Sequence, residues 1–441
     1  MPPAREKTCP AWNLCRTRRA VVNTSRLIAS LPSATRLVRF FQLEGFEPAR
    51  RPKWYPTHSA VPRAAISASA VMKMSVLRRC RGKVTSQTHL SQHSGEAWNS
   101  IQWEEKWAVS TVIDFAIAQV NRTRGLNRRP FDHATSVAIP HGRWGIVHYG
   151  IMVPNLPDPF RFFDAIVILG TARAPIFGKR SLAAGDPDDS AWILTGSAAT
   201  PNGFEQYSIT DQCDLSDDGS HLRFGDQLAI NRTISEITLS ASRPGASVQL
   251  TLNPTPAVSH FVHIPGIYDH WSVLCQAEGT FTAGQNPFTR ETLCTYEYAR
   301  AVNLPLPFLF FTYQILNVDE KTQVLMTEVL GPAGLPLSRI IYIRNADGAA
   351  TTHTRGYQHT VHEYCPDLLT TPDGHKMRMP KRFAWRVLGD DGADLNTIEG
   401  TCNDDFAYGL GAGYAGSYHY IGRFRGAPIT GTGYIEWIDR R

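Results

Sequence analysis

Several features that would narrow the function of this chain are missing from it. None of its eight cysteines (Cys9, Cys15, Cys80, Cys213, Cys275, Cys294, Cys365 and Cys402) has a CxxC partner, so neither a zinc ribbon nor a thioredoxin-type motif is present. Cysteines scattered this way in a long chain read as reduced, buried thiols. There is no GxSxG and hence no nucleophile elbow of the α/β-hydrolase type. Gly409 to Gly413, GLGAG, has no Lys-Ser/Thr and no following helix, so it is not a phosphate loop. No apolar run reaches the ~18 residues of a membrane helix; the nearest, LPLPFLFF at 304–311, is short and broken by prolines.

Acidic residues are scarce at the start of the chain. Residues 1–100 hold 17 Lys or Arg against Glu6, Glu44, Glu47 and Glu96, a balance of +13 in a chain of net +6, leaving the other 341 residues at −7. The body is mildly acidic, which argues against a general nucleic-acid surface. Residues 1–95, rich in Arg, Ser and Ala, have no sustained periodicity. They read as a disordered or targeting-like basic segment, similar in composition to a mitochondrial presequence, with Met72 and Met74 as alternative starts. A soluble, cytoplasmic protein is expected, with organelle targeting as the alternative that this segment raises.

What is present is a single helical pattern followed by many strands. WNSIQWEEKWAVSTVIDFAIAQV (98–120) repeats apolar residues at helical spacing, and 96–130 is expected to be a helix packed on a β-body. From Trp144 onward short runs rich in β-branched and aromatic residues alternate with turns such as SDDGS and RPGA, without intervening helices. About seven such runs precede residue 255 and about ten follow, which suits two closed or nearly closed antiparallel barrels. The prolines of NPTPAVSHFVHIPG suggest a connector near 255–266, dividing a first barrel (131–260) from a second (261–441). The end of the chain, NDDFAYGLGAGYAGSYHYIGRFRGAPITGTGYIEWID, interleaves glycines with tyrosines. Each interior glycine would cost a helix about 1 kcal/mol, so this run is expected to be the closing hairpin, turning at RGAP.

Some of these stretches resemble a known group. GTGYIEWID (431–439) is similar to the last strand of the tandem lipocalin-like proteins, which include the AttH-type proteins and the bacterial carotenoid 1,2-hydratases. Tyr268-Asp269-His270-Trp271 resembles the Asp-His pair, flanked by aromatics, near the boundary between their barrels. HYGIMVPNLPDPFRFF (148–163), HIPGIYDHWSVLC (263–275) and the 403–426 run resemble an uncharacterised, mainly actinobacterial family. The resemblance implies two lipocalin-like barrels in tandem. From the hydratases it implies protonation of an isolated carbon–carbon double bond inside an apolar cavity, followed by capture of water. His270 and Trp271 would supply part of that site. The group's Tyr-x-Asp pair falls at Tyr296-Glu297-Tyr298, where Tyr298 replaces the aspartate.

The candidate chemistry is therefore limited to a few places. His270, Asp269 and Glu297 are the candidate catalytic residues, with Tyr268, Trp271, Tyr296 and Tyr298 as ligand contacts. In an extended strand His353, Arg355, Tyr357, His359 and Glu363 would share one face, either lining a polar pocket or facing solvent. His260 and His263 lie in the proline-bearing connector, which offers no helix or hairpin to fix a metal, so neither metal nor cofactor is expected. Asn403-Asp404-Asp405 reads as a turn, and the sequons at Asn121 and Asn231 carry no weight without a secretory signal. Three functions follow: binding of an apolar small molecule such as a lipid or terpenoid, hydration or isomerisation of such a molecule, or a structural role with filled barrels. A cavity in the second barrel reached by His270 would separate the first two from the third.

Overall fold

The computed structural model describes Thr123 and residues 125–441, except 172, 178–181, 184, 201–202 and 304–305. The basic segment and nearly all of the expected helix lie outside the described residues. Among these, no helix is long and apolar enough to cross a membrane, and the five cysteines present are unpaired.

The first sheet begins with β1 (Trp144–Val153), β2 (Phe163–Gly170), β3 (Ser190–Gly196) and β4 (Phe204–Ser208). After one helical turn at Ile209–Gln212 come β5 (Cys213–Leu215), β6 (His221–Phe224), β7 (Leu228–Arg232) and β8 (Ile237–Arg243). Three long strands complete it: β9 (Ala246–Ile264), β10 (Tyr268–Ala283) and β11 (Asn286–Val302). All pairs are antiparallel, in the order β4-β3-β2-β1-β11-β10-β9-β8-β7-β6-β5. The two edge strands, β4 and β5, are joined by a single helical turn, so the sheet must wrap round on itself. Side chains tie the ends together: Gln227 donates to Thr195 at 2.7 Å, and Arg243 donates to the Gly203 carbonyl at 2.8 Å. Wrapping leaves one apolar interior filled by residues such as Tyr149, Trp271, Tyr296 and Tyr298.

The second sheet holds β12 (Phe310–Asn317), β13 (Thr322–Leu330), β14 (Pro336–Asn345), β15 (Ala350–His353) and β16 (Gln358–Tyr364). A small ribbon, β17 (Leu369–Thr370) with β18 (Lys376–Met377), leads to β19 (Pro380–Leu388) and β20 (Asp394–Cys402). The sheet ends with β21 (Ala407–Leu410), β22 (Gly413–Phe424) and β23 (Ala427–Asp439). Its order is β15-β14-β13-β12-β23-β22-β20-β19-β16, with β21 beside β22. Its ends, β15 and β16, are again neighbours in sequence, so this sheet also curls. The fold is mainly β, two curled antiparallel sheets in tandem, as the strand pattern implied.

Two local features refine that reading. Residues 255–264 are not a connector: they lie within β9, and the chain passes between sheets at 303–309. The prolines are tolerated because β9 bulges there, with Val273 opposite Val258 and Cys275 opposite Pro254. A bulge asks no donor of Pro254 or Pro256, and the Pro256 carbonyl accepts from Phe131 N at 2.8 Å. The glycine–tyrosine run forms the β22–β23 hairpin, turning at Arg425 and Gly426 with φ of 51° and 81°. Tyr418 and Tyr420 lie over their cross-strand partners Gly433 and Gly431, where a Cβ would meet the Tyr418 ring at 2.4 Å and the Tyr420 hydroxyl at 2.8 Å. Being paired with β12, β23 stands in the middle of the sheet rather than at its edge.

Candidate active site between the sheets

Strand β11 lies between β1 and β10, and its side chains alternate. Tyr296 and Tyr298 enter the interior of the first sheet, while Glu297, Ala299 and Ala301 face outward. That outer face is covered by the outer face of the second sheet, including Phe311, Tyr313, Glu436 and Ile438, and the two enclose a cavity of about 120 Å³. One water needs only ~10–15 Å³ on this measure. The walls are mainly apolar, with Ile146, Phe261, Phe311 and Leu337 among them, and the polar groups gather around Glu297. The cavity thus lies between the barrels, not inside the second one.

Register brings two histidines to this point. His148 on β1 and His270 on β10 both stand opposite Ala299, so two imidazoles flank one methyl group. Gly150, opposite Glu297, keeps the space clear, since a Cβ there would lie 3.1 Å from His148 Nε2. His148 Nδ1 donates to the Val167 carbonyl at 3.0 Å, leaving Nε2 directed at Glu297 Oε2, 3.9 Å away. His270 Nε2 donates to the same oxygen at 3.4 Å, and its Nδ1 accepts from Tyr268 Oη at 3.3 Å. Tyr313, on β12, donates to Glu297 Oε1. Burial opposes ionisation of Glu297, but its contacts with His148 and His270 outweigh it and hold the carboxyl down to about 2. Burial also lowers the pKa of His270.

A second acid meets the cavity from the other sheet. Glu436 on β23 pairs with Tyr313 across the β12–β23 ladder, so the two side chains share a face. Burial first, and the negative charge of Glu297 second, push the Glu436 carboxyl well above the usual range. Tyr434 Oη lies 3.0 Å from Glu436 Oε1 and 3.0 Å from Asp164 Oδ2. Asp164, inaccessible to solvent, also accepts from Gly196 N at 2.7 Å, and burial pushes it up to about 7. Beside the site Arg344, wholly buried, donates to Ser272 Oγ at 2.7 Å and Thr295 Oγ1 at 2.9 Å, pinning β14 to β10 and β11.

The residues singled out from the sequence fall into three groups. Tyr268, His270 and Glu297 meet in the cavity wall. Asp269 turns away into contacts with His263 at 2.8 Å and Arg300 at 3.0 Å. Trp271 packs inside the first sheet, with its ring centroid 5.9 Å from that of Tyr296 and 5.7 Å from that of Tyr298. His353, Arg355, Tyr357 and His359 do not form one strand face, because a turn at 354–357, with Gly356 at φ 57°, separates β15 from β16. Tyr357 is buried and donates to the Thr327 carbonyl at 3.1 Å. His359 pairs with Glu328 at 2.7 Å and stacks on Trp385. His353 is half-buried and Arg355 is exposed.

The sequence reading missed His148, Tyr313 and Glu436 as site residues. The available signal for Glu436 was a lone acid in the otherwise apolar GYIEWI. Among the described residues, His148, His270 and Glu297 have ligand atoms within 4.8 Å of one another, a spacing that would suit a metal ion.

The chain belongs to a family of unknown function (DUF6670), whose profile matches residues 166–441. No protein of curated function matches it in sequence. Among solved structures it is similar to an AttH-type protein of Nitrosomonas europaea, with 13% identity and a TM-score of 0.49 over 70% of this chain and 99% of that one. Kievitone hydratase from Nectria haematococca is 12% identical over 70% of this chain and 97% of its own, with a TM-score of 0.43. CghA in complex with Sch210972 is 8% identical over the same shares, also with a TM-score of 0.43.

Proposed function

We propose that this protein binds an apolar, unsaturated small molecule in the cavity between its sheets and transfers protons to and from it, as a hydratase or isomerase does. One observation carries the reading: two buried carboxyl groups, Glu297 and Glu436, line one apolar cavity in surroundings that favour the charged form of the first and the neutral form of the second. Pairs of acids pushed apart in this way divide the roles of base and acid between them.

In the proposed reaction Glu436 gives its proton to one alkene carbon. The π electron pair forms the new C–H bond, leaving a carbocation and a Glu436 carboxylate. Phe261, Phe311 and Tyr313 offer aromatic faces to that cation. Glu297, with His270 beside it, then takes a proton from the neighbouring carbon, which gives an isomer, or from a water attacking the cation, which gives an alcohol. Apolar walls limit water to what the second route consumes.

The apolar lining equally favours a second reading, in which the same molecule is carried unchanged. Incubation of the full chain with a lipid extract, followed by chromatography and mass spectrometry, separates the two. Gain of the mass of one water, or the same mass at a new retention time, supports the enzyme. Retention of an unchanged ligand supports carriage. Full turnover by His270→Ala and Glu297→Gln together would remove these residues from the site.

A further inference from the structure

Behind Glu436 the structure holds titratable groups that the reaction above does not use. Tyr434 Oη touches a carboxyl oxygen on each side, Glu436 Oε1 and Asp164 Oδ2, each at 3.0 Å. A phenol has one proton to give and lone pairs to accept with. If both carboxyls were ionised, one of these contacts would set lone pair against lone pair between buried side chains. At least one of the two acids therefore carries a proton and donates to Tyr434. Asp164 is wholly buried, and the contacts of its carboxyl, Gly196 N–H at 2.7 Å and Tyr434 Oη at 3.0 Å, include no cation, so it too holds a proton at rest. Once that proton leaves, it is the better seat for a negative charge, because Gly196 donates to it and it stands one phenol further from Glu297. A Glu436 carboxylate would face the Glu297 carboxylate across an apolar space, which is unfavourable for both.

From this geometry we propose that Asp164, Tyr434 and Glu436 form a proton reserve, in which Asp164 reprotonates Glu436 through Tyr434 after Glu436 has given its proton away. The inference rests on the reading of Glu436 as the acid. The step moves two protons and no heavy atom. Asp164 passes its carboxyl proton to Tyr434 Oη as the phenolic proton passes to Glu436 Oε1. Tyr434 ends as a phenol, Glu436 as an acid and Asp164 as a carboxylate held by Gly196. The charged and titratable groups facing the chain are Glu297 of β11, which raises Glu436, and Tyr313 of β12, which pairs with it. Asp164 is a positioning residue in this scheme, because it acts only through Tyr434.

Infrared spectroscopy of the full-length protein tests the reserve without any substrate. Two protonated-carboxyl bands are expected at acidic pH. One should disappear as pH rises through about 7 and be missing from Asp164→Asn; the other should persist at higher pH and be missing from Glu436→Gln. Asparagine keeps an oxygen for Gly196 and an N–H for Tyr434, so it preserves the hydrogen bonds while removing the transferable proton. If neither variant folds, the pH titration of the wild type still decides. Absence of protonated-carboxyl bands near neutral pH, or bands indifferent to both substitutions, overturns the proposal. Because the bands owe nothing to turnover, inactivity toward all substrates would remove the reaction, whereas loss of the bands would remove the reserve.

Discussion

Glu297 and Glu436 face one cavity from different sheets, and the first helps to keep the second uncharged. Neither strand makes this pair alone. It exists because the outer faces of two curled sheets are pressed together, and because His148 and His270 compensate one acid and not the other.

The first prediction separates the two roles. Glu297→Gln and Glu436→Gln should each lower turnover by roughly 10²–10⁴-fold, the usual contribution of a positioned acid or base, with the fold retained by circular dichroism. Because burial favours the uncharged form of Glu436, its replacement should leave ligand binding nearly unchanged. Loss of binding without loss of turnover per bound ligand would refute the assignment of Glu436.

The pH dependence of stability should show two opposed slopes. Asp164 is raised from 3.8 to about 7 in the folded state, so its contribution is full below about 3.8 and is lost as pH rises through about 7. The gap corresponds to on the order of 4 kcal/mol. Glu297 is lowered from 4.5 to about 2; its contribution is present above 4.5 and is lost as pH falls through about 2. Denaturant unfolding at a series of pH values should show Asp164→Asn flattening the neutral slope and Glu297→Gln flattening the acidic one. Parallel curves for wild type and variants would contradict the ionisation states assigned here.

The sheet architecture was legible because strand residues, turn chemistry and the glycine–tyrosine run each favour pleated structure locally. The position of the site was not, and β11 gives the reason. From Leu293 onward both of its faces are buried, one by the barrel interior and one by the second sheet, so alternation of Tyr296, Glu297 and Tyr298 does not reveal which face meets a ligand. Glu436 was hidden in the same way: an acid in an apolar strand looks like a solvent-facing residue until the first sheet covers it. The stripe at 353–363 misled for a different reason. A left-handed glycine at 356 breaks the strand between Arg355 and Tyr357, and a period-two pattern cannot register that break.

Neighbouring residues on β10 should behave differently on truncation. Trp271 packs among the aromatics of the first sheet, so Trp271→Ala should cost about 3–5 kcal/mol, seen as a lower denaturation midpoint. His270 lines the cavity, so His270→Ala should cost much less stability and impair turnover instead. Equal destabilisation by both would mean that His270 serves packing alone.

Filling the cavity offers the most direct test of where the ligand sits. Ala299 stands between the two imidazoles with its methyl group in the cavity wall. Leucine at this position projects into open space rather than into packed core, so Ala299→Leu should avoid most of the ~1–3 kcal/mol that overpacking costs. It should nevertheless occupy space beside Glu297 and displace an apolar ligand. The expected result is a nearly unchanged melting temperature with reduced capture of an environment-sensitive apolar dye and of components of a lipid extract. A leucine at Ala277, inside the first sheet, serves as the contrast: it should lower stability and spare binding in the protein that remains folded. Undiminished capture by a folded Ala299→Leu would place the ligand elsewhere.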